Sequence, residues 1–183
     1  MSYITVPEAS QLTAGARDQM ELFAAAHGHF SALRAVVARF PAALGALDNQ
    51  YSLIMGRGRL DRWVREAVFA TCSAERGDAY LAGAMAAEAV RHGADPTWVN
   101  GLLTQGSNPA GAGEAVGALI KFARKMAREP YKSVEADVSA LHAAGWANED
   151  LVELLSVISL SAYMDTLSLS LRIGPQAAPQ PAN

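Results

Sequence analysis

The sequence predicts an all-α fold, and three observations carry that prediction. Apolar residues recur at helical spacing through almost every segment. No run shows the period-two alternation of a half-buried strand. Residues that start or stop helices, such as Gly77-Asp78, His92-Gly93 and Asp95-Pro96, stand between the periodic segments.

The elements follow in order. Residues about 17–38 are rich in Ala, Leu, Phe and Val, with polar residues at helical intervals. Pro41 suits the first turn of a helix running to about Met55, since its missing N–H costs nothing there. Gly56-Arg57-Gly58 breaks that helix. Arg59 to Ala74 forms the next, with Trp63, Ala67, Val68, Ala70 and Thr71 on or near one face. Asp78 is placed to cap a helix that ends at His92-Gly93, with glycine just past the last turn. Asp95-Pro96 restarts the chain as cap and first-turn proline. Gly106 to Gly113 reads as a loop, and Glu114 to Arg128 and Val134 to Ala144 as two helices. Asn148 caps a long final helix with Leu151, Leu154, Leu155, Ile158 and Ala162 at core spacing. A faint internal echo links Gly93, with Val99, Leu102 and Leu103, to Gly145, with Leu151, Leu154 and Leu155 at the same offsets.

With 183 residues, the chain is expected to form one domain over residues 1–173 and a disordered Pro-, Gln- and Ala-rich tail over 174–183. Fifteen basic and eighteen acidic residues leave a formal charge of −3, which supplies no basic patch for nucleic acid or an anionic membrane. No uninterrupted apolar run approaches the ~20 residues of a bilayer span. The start, Met-Ser-Tyr-Ile-Thr-Val-Pro-Glu, lacks a basic region followed by an apolar stretch, so a cytoplasmic location is expected. One cysteine, Cys72, excludes an internal disulfide.

The stretch Arg65-Glu66-Ala-Val-Phe-Ala-Thr-Cys-Ser-Ala-Glu-Arg-Gly-Asp-Ala-Tyr-Leu-Ala-Gly-Ala-Met-Ala-Ala-Glu-Ala-Val-Arg-His92-Gly93 resembles the core helical hairpin of the alkylhydroperoxidase D-like / carboxymuconolactone decarboxylase superfamily. Ser31 to Met55 resembles the leading helices of that family. Leu60-Asp61-Arg62-Trp63-Val64-Arg65-Glu66 resembles the entry to its hairpin, and His92-Gly93-Ala94-Asp95 the exit. Ala123-Arg124-Lys125-Met126 through Asp137-Val138 and Leu141-His142-Ala143-Ala144-Gly145 resembles the second half of its peroxidase-related branch. The resemblance implies a helical bundle built on that hairpin, and self-assembly as a trimer or hexamer with pockets near subunit contacts.

In the peroxidase branch the hairpin carries an Arg-Glu pair, a Cys-x-x-Cys and then a histidine. The resemblance places Asp78 and Leu81 in the two cysteine positions and Met85 in the histidine position. Neither Asp nor Leu attacks a peroxide and Met shuttles no proton, so thiol peroxidase chemistry is not expected. Glu66 keeps the family's carboxylate. It is the first candidate catalytic residue, or else it pairs with an arginine such as Arg62 one turn earlier. Asp78 is the second candidate, as a carboxylate facing Glu66, or else only a helix cap. Cys72 is either a small buried hydrophobe or the thiol of a one-cysteine peroxidase. Tyr80 is expected to pack.

The histidines make no metal-ligand set by spacing. His27 and His29 diverge on a helix, His142 stands alone, and His92 reads as a dipole contact at a helix C-terminus. No cofactor motif and no metal site are expected. Three functions follow: a small-molecule protein or cysteine-independent proton-transfer enzyme acting on a lactone or acid, a non-catalytic oligomeric binding protein, and a one-cysteine peroxidase using Cys72.

Overall fold

A computed structural model describes residues 2–27, 31–104 and 106–174 of the chain. Among them the structure is helical throughout, with no strand. The contacts divide the chain into two compact units. One is Met1–Leu53 with Thr166–Asn183 and the other is Ile54–Asp165. Each is described by itself. The tail beyond residue 174 and His29 lie outside the described residues.

The first unit holds α1 (Ala14–His27), α2 (Ser31–Val37) and most of α3 (Pro41–Gly56). The helical patterning read over about 17–38 falls on α1 and α2. Its centre is a buried ion pair: Arg34 Nε donates to Asp48 Oδ1 at 2.8 Å and Nη2 to Oδ2 at 2.5 Å. The Arg34 guanidinium also sits 3.9 Å from the centre of the Phe23 ring. The bidentate fork and the ring face together satisfy a charge that would be costly to bury alone.

The second unit is organised around α4 (Arg62–Arg76) and α5 (Ala79–Arg91). Every residue of α4 from Val64 to Glu75 is buried, so it is the central helix rather than an amphipathic surface one. Gly77, at φ 83°, ends it in the left-handed conformation that glycine adopts without strain. Asp78 then caps α5, its side chain accepting from Leu81 N at 2.9 Å. With only Gly77 and Asp78 between them, the two helices return antiparallel. Around this hairpin pack α6 (Pro96–Leu102) and α7 (Gly113–Arg128), with α8 (Glu135–Ala143) against α7.

The last helix, α9 (Asn148–Leu171), contributes residues up to Asp165 to this unit. At 24 residues, with a mean hydropathy of 1.4 in its most apolar window, it is long and apolar enough to cross a bilayer. Carboxylates interrupt its apolar run in the sequence. Those carboxylates are tied inside this unit. Asp150 accepts from Arg59 at 2.8 Å, Glu153 from Arg65 at 3.1 Å and Asp165 from Arg76 at 2.9 Å. Glu153 also takes the backbone N–H of Arg59 at 2.7 Å, which draws the Gly58 turn close. A Cβ at Gly58, whose φ is 152°, would stand 2.1 Å from the Glu153 carboxylate.

Candidate functional site

Glu66 lies in the first turns of α4 and is fully buried. Burial strips its carboxylate of water, and two neighbours replace that water. Arg62 Nε, one turn earlier, donates to Oε1 at 3.0 Å. His92 Nδ1, at the C-terminal end of α5, lies 2.8 Å from Oε2. Burial pushes the Glu66 carboxyl above the ordinary carboxylate range, while the hydrogen bonds to His92 and Arg62 pull it partway back. The Arg62 pair expected from the i,i+4 spacing is therefore present. Sequence reasoning missed the histidine, because residues 26 positions apart meet only when the hairpin closes.

The tautomer of His92 follows from its neighbours. Nδ1 is 2.8 Å from the Glu66 carboxylate and also 3.0 Å from the backbone oxygen of Glu88. A carbonyl oxygen only accepts, so Nδ1 carries the hydrogen. In the neutral ring the lone pair then sits on Nε2. The His92 side chain is 22% exposed against 1% for Glu66, so the pair runs from the interior to the surface. A buried carboxylate that fixes an imidazole by Nδ1 and leaves Nε2 basic is the arrangement of a general base with its orienting acid.

Glu66, Glu88 and His92 also bring one potential ligand atom each within 4.8 Å of one another. Sequence spacing concealed this set because Glu66 belongs to a different helix. Both carboxylates already face a guanidinium, Arg62 on Glu66 and Arg91 on Glu88. Nδ1 is held between two oxygen acceptors. That environment suits a proton better than a cation.

Asp78 does not join this site. Glu66 meets the C-terminal end of α5, whereas Asp78 caps its N-terminal end. The ten residues from Glu66 to Arg76 alone span roughly 15 Å of helix. The two carboxylates expected to face each other are thus at opposite ends of an antiparallel pair. Asp78 is 2% exposed, and Leu81 and Met85 are fully buried. The positions that the resemblance assigns to the redox residues are packed as core.

Beside Asp78 lies a second polar group. Asp165 Oδ1 accepts from Ser73 Oγ at 2.6 Å, and Oδ2 from Arg76 Nη1 at 2.9 Å. Burial pushes the Asp165 carboxyl up to about 6, against the pull of Ser73 and Arg76, and the Asp78 charge adds to the rise. Cys72 is fully buried, with Sγ 3.8 Å from Ala123 O. Burial pushes its thiol up to about 12, so it holds its proton at neutral pH. His142 Nε2 pairs with Asn148 Oδ1 at 3.0 Å, away from this chemistry.

Two surface cavities flank Trp98. One, of about 300 Å³, is lined by Trp63, Gly93 and Trp98 among others, and so begins at the residues that follow Arg62 and His92. The other, of about 540 Å³, lies towards Lys121 on α7.

An all-α unit centred on a buried antiparallel hairpin is the architecture of an alkylhydroperoxidase D-like fold. Comparison with solved structures places the chain in that class. A peroxidase-related protein from Ralstonia eutropha, described as an alkylhydroperoxidase core, superposes with a TM-score of 0.82 at 19% identity, covering 96% of this chain and 94% of that one. A peroxidase-related protein from Silicibacter sp. gives 0.83 at 19% identity, covering 98% and 95%. A cysteine-to-alanine variant of the debrominase Bmp8, in complex with 2,3,4-tribromopyrrole, gives 0.76 at 14% identity, covering 94% and 91%. No protein-family model and no curated protein matches the sequence.

Proposed function

We propose that this chain is a cysteine-independent proton-transfer protein acting on a small molecule, with His92 Nε2 as the base and Glu66 as the buried carboxylate that positions it. One observation carries the reading: His92 Nδ1 is bracketed by Glu66 Oε2 at 2.8 Å and Glu88 O at 3.0 Å. That bracket fixes the ring and directs its basicity to Nε2. Burial raises the Glu66 carboxyl, and the hydrogen bonds from His92 and Arg62 oppose that rise. The protonated, fully buried thiol of Cys72 opposes a one-cysteine peroxidase. The fold also suggests self-association and a small-molecule ligand. Light scattering should give a multiple of 19.3 kDa.

The test begins with the tautomer. Long-range ¹H–¹⁵N NMR of the neutral protein should show His92 protonated at Nδ1 and bare at Nε2. A His92 ring protonated at Nε2 instead would remove the base. Solvent-deuterium incorporation into a panel of enolisable lactones and acids should then depend on His92, and His92→Gln should abolish it. A second reading rests on the Arg62–Glu66 pair: Glu66 as a purely structural ion-pair member in a binding protein. Under that reading His92→Gln leaves any exchange untouched.

A further inference from the structure

We propose that the cavity lined by Trp63 and Trp98 binds a neutral planar ring, a small aromatic or heteroaromatic compound. This names the substrate class of the proposed proton-transfer site. It rests on that reading for the chemistry of the bound ring, while the binding itself needs only the cavity.

The two tryptophans stand edge to face, with ring centroids 5.7 Å apart and planes at 83°. Such a pair forms a corner of two flat walls, and a third ring can complete it in the offset or edge-on geometry that aromatic groups prefer. The polar groups of this corner are already committed. Trp98 Nε1 donates to Pro109 O at 3.0 Å, and Asp95 accepts from the backbone N–H of Trp98 at 2.8 Å. The indole N–H of Trp98 is thus used inside the protein, and the half-buried Trp63 presents the more open ring face.

Two glycines also line the cavity. Gly93 and Gly111 have φ of 107° and 138°, conformations that other residues adopt only under strain. At Gly111 a Cβ would lie 3.5 Å from Trp98 Cδ1, so this glycine packs directly against the indole. About 300 Å³ sits at the lower end of small-molecule sites, and the adjoining 540 Å³ beyond Trp98 gives room for a substituent. The carboxylate of Asp95 at the rim disfavours an anion in the inner cavity. Trp63 and Gly93 directly follow Arg62 and His92 in sequence, so the cavity is built on the same two segments that carry the proposed site.

Isothermal titration with 2-naphthol tests the proposal. The folded wild-type protein should bind it saturably at one site. Trp63→Leu should weaken binding about tenfold, consistent with loss of an aromatic contact. Ala112→Leu, which leaves both tryptophans in place and fills the cavity, should weaken it at least as much. Circular dichroism establishes that each variant folds. The saturated counterpart, decahydro-2-naphthol, should bind about tenfold more weakly than the flat ring. Absence of saturable binding, binding unmoved by Trp63→Leu and Ala112→Leu, or equal binding of the saturated ring would each overturn the proposal. Tighter binding of phenyltrimethylammonium would also overturn it, in favour of a cation site. If planar rings bind while His92 transfers no proton, the functional reading fails and the ring site stands. If proton exchange depends on His92 while planar rings do not bind, the ring site fails and the functional reading stands.

Discussion

Glu66 Oε2 and His92 Nδ1 stand 2.8 Å apart, joining the entry of α4 to the exit of α5. The pair is asymmetric, because Glu66 is fully enclosed and His92 reaches the surface. Glu66→Gln keeps the shape but offers one accepting oxygen where the carboxylate offers two. Either Arg62 or His92 then loses its partner. The expected cost is about 1–3 kcal/mol in chemical denaturation, the range for hydrogen bonds to a charged group. Because both partners are partly exposed, water relieves part of the loss. The sharper readout is the histidine, whose ¹⁵N shifts should show both tautomers in Glu66→Gln. A single Nδ1–H tautomer in that variant would show that Glu88 O alone fixes the ring.

Asp165 predicts a pH dependence of stability. Its carboxyl is raised from 3.8 to about 6 in the folded chain. A raised group contributes its full stability below the unfolded value and loses it as pH rises through the folded one. Folding should thus weaken between about pH 4 and pH 7, by roughly 3 kcal/mol for a shift of about two units. Asp165→Asn cannot ionise and should flatten this slope, while keeping an acceptor for Ser73. Urea unfolding across that range decides it. Parallel slopes for the wild type and the variant would refute the assignment.

Cys72 should be silent. With its thiol pushed up to about 12 and no exposed surface, the thiolate is scarce and unreachable at neutral pH. No thiol-dependent hydroperoxide turnover is expected, and a thiol reagent should label Cys72 only in denaturant. Rapid labelling of the native protein, or peroxide consumption lost in Cys72→Ser, would restore the peroxidase reading.

The legible parts of this protein are those written locally. Asp78 as a cap, Asp95-Pro96 as a helix start and Arg62–Glu66 as an i,i+4 pair depend on residues within one turn of each other. The resemblance supplied the hairpin. It also led to Glu66 and Asp78 as partners, which the antiparallel geometry separates. What the sequence hid is the result of packing. Glu66 meets His92, and Ser73 and Arg76 meet Asp165 across 92 and 89 positions. No periodicity encodes such meetings. They are set by which faces of α4, α5 and α9 are buried together.

Glu75 gives the most direct test of that packing. Its side chain is fully buried near the end of α4 and forms ion pairs with Arg124 and Arg128 of α7. Arg128 is half exposed and can return to water, but the Arg124 side chain is 11% exposed. Arg124 Nη2 donates to Leu102 O at 2.9 Å, so the guanidinium also holds the end of α6. Removing Glu75 leaves that charge enclosed with only a neutral partner. Glu75→Leu should therefore cost about 3–5 kcal/mol, most of it the penalty of a stranded buried charge. The double variant Glu75→Leu, Arg124→Leu removes the stranded charge as well. It should recover a large share of the loss, because apolar side chains of similar size often replace a buried pair at little cost. Chemical denaturation of both variants measures the difference. A cost below about 1 kcal/mol for Glu75→Leu, or a double variant no more stable than the single one, would mean that water already reaches Arg124 and that the pair does not anchor α7 to α4.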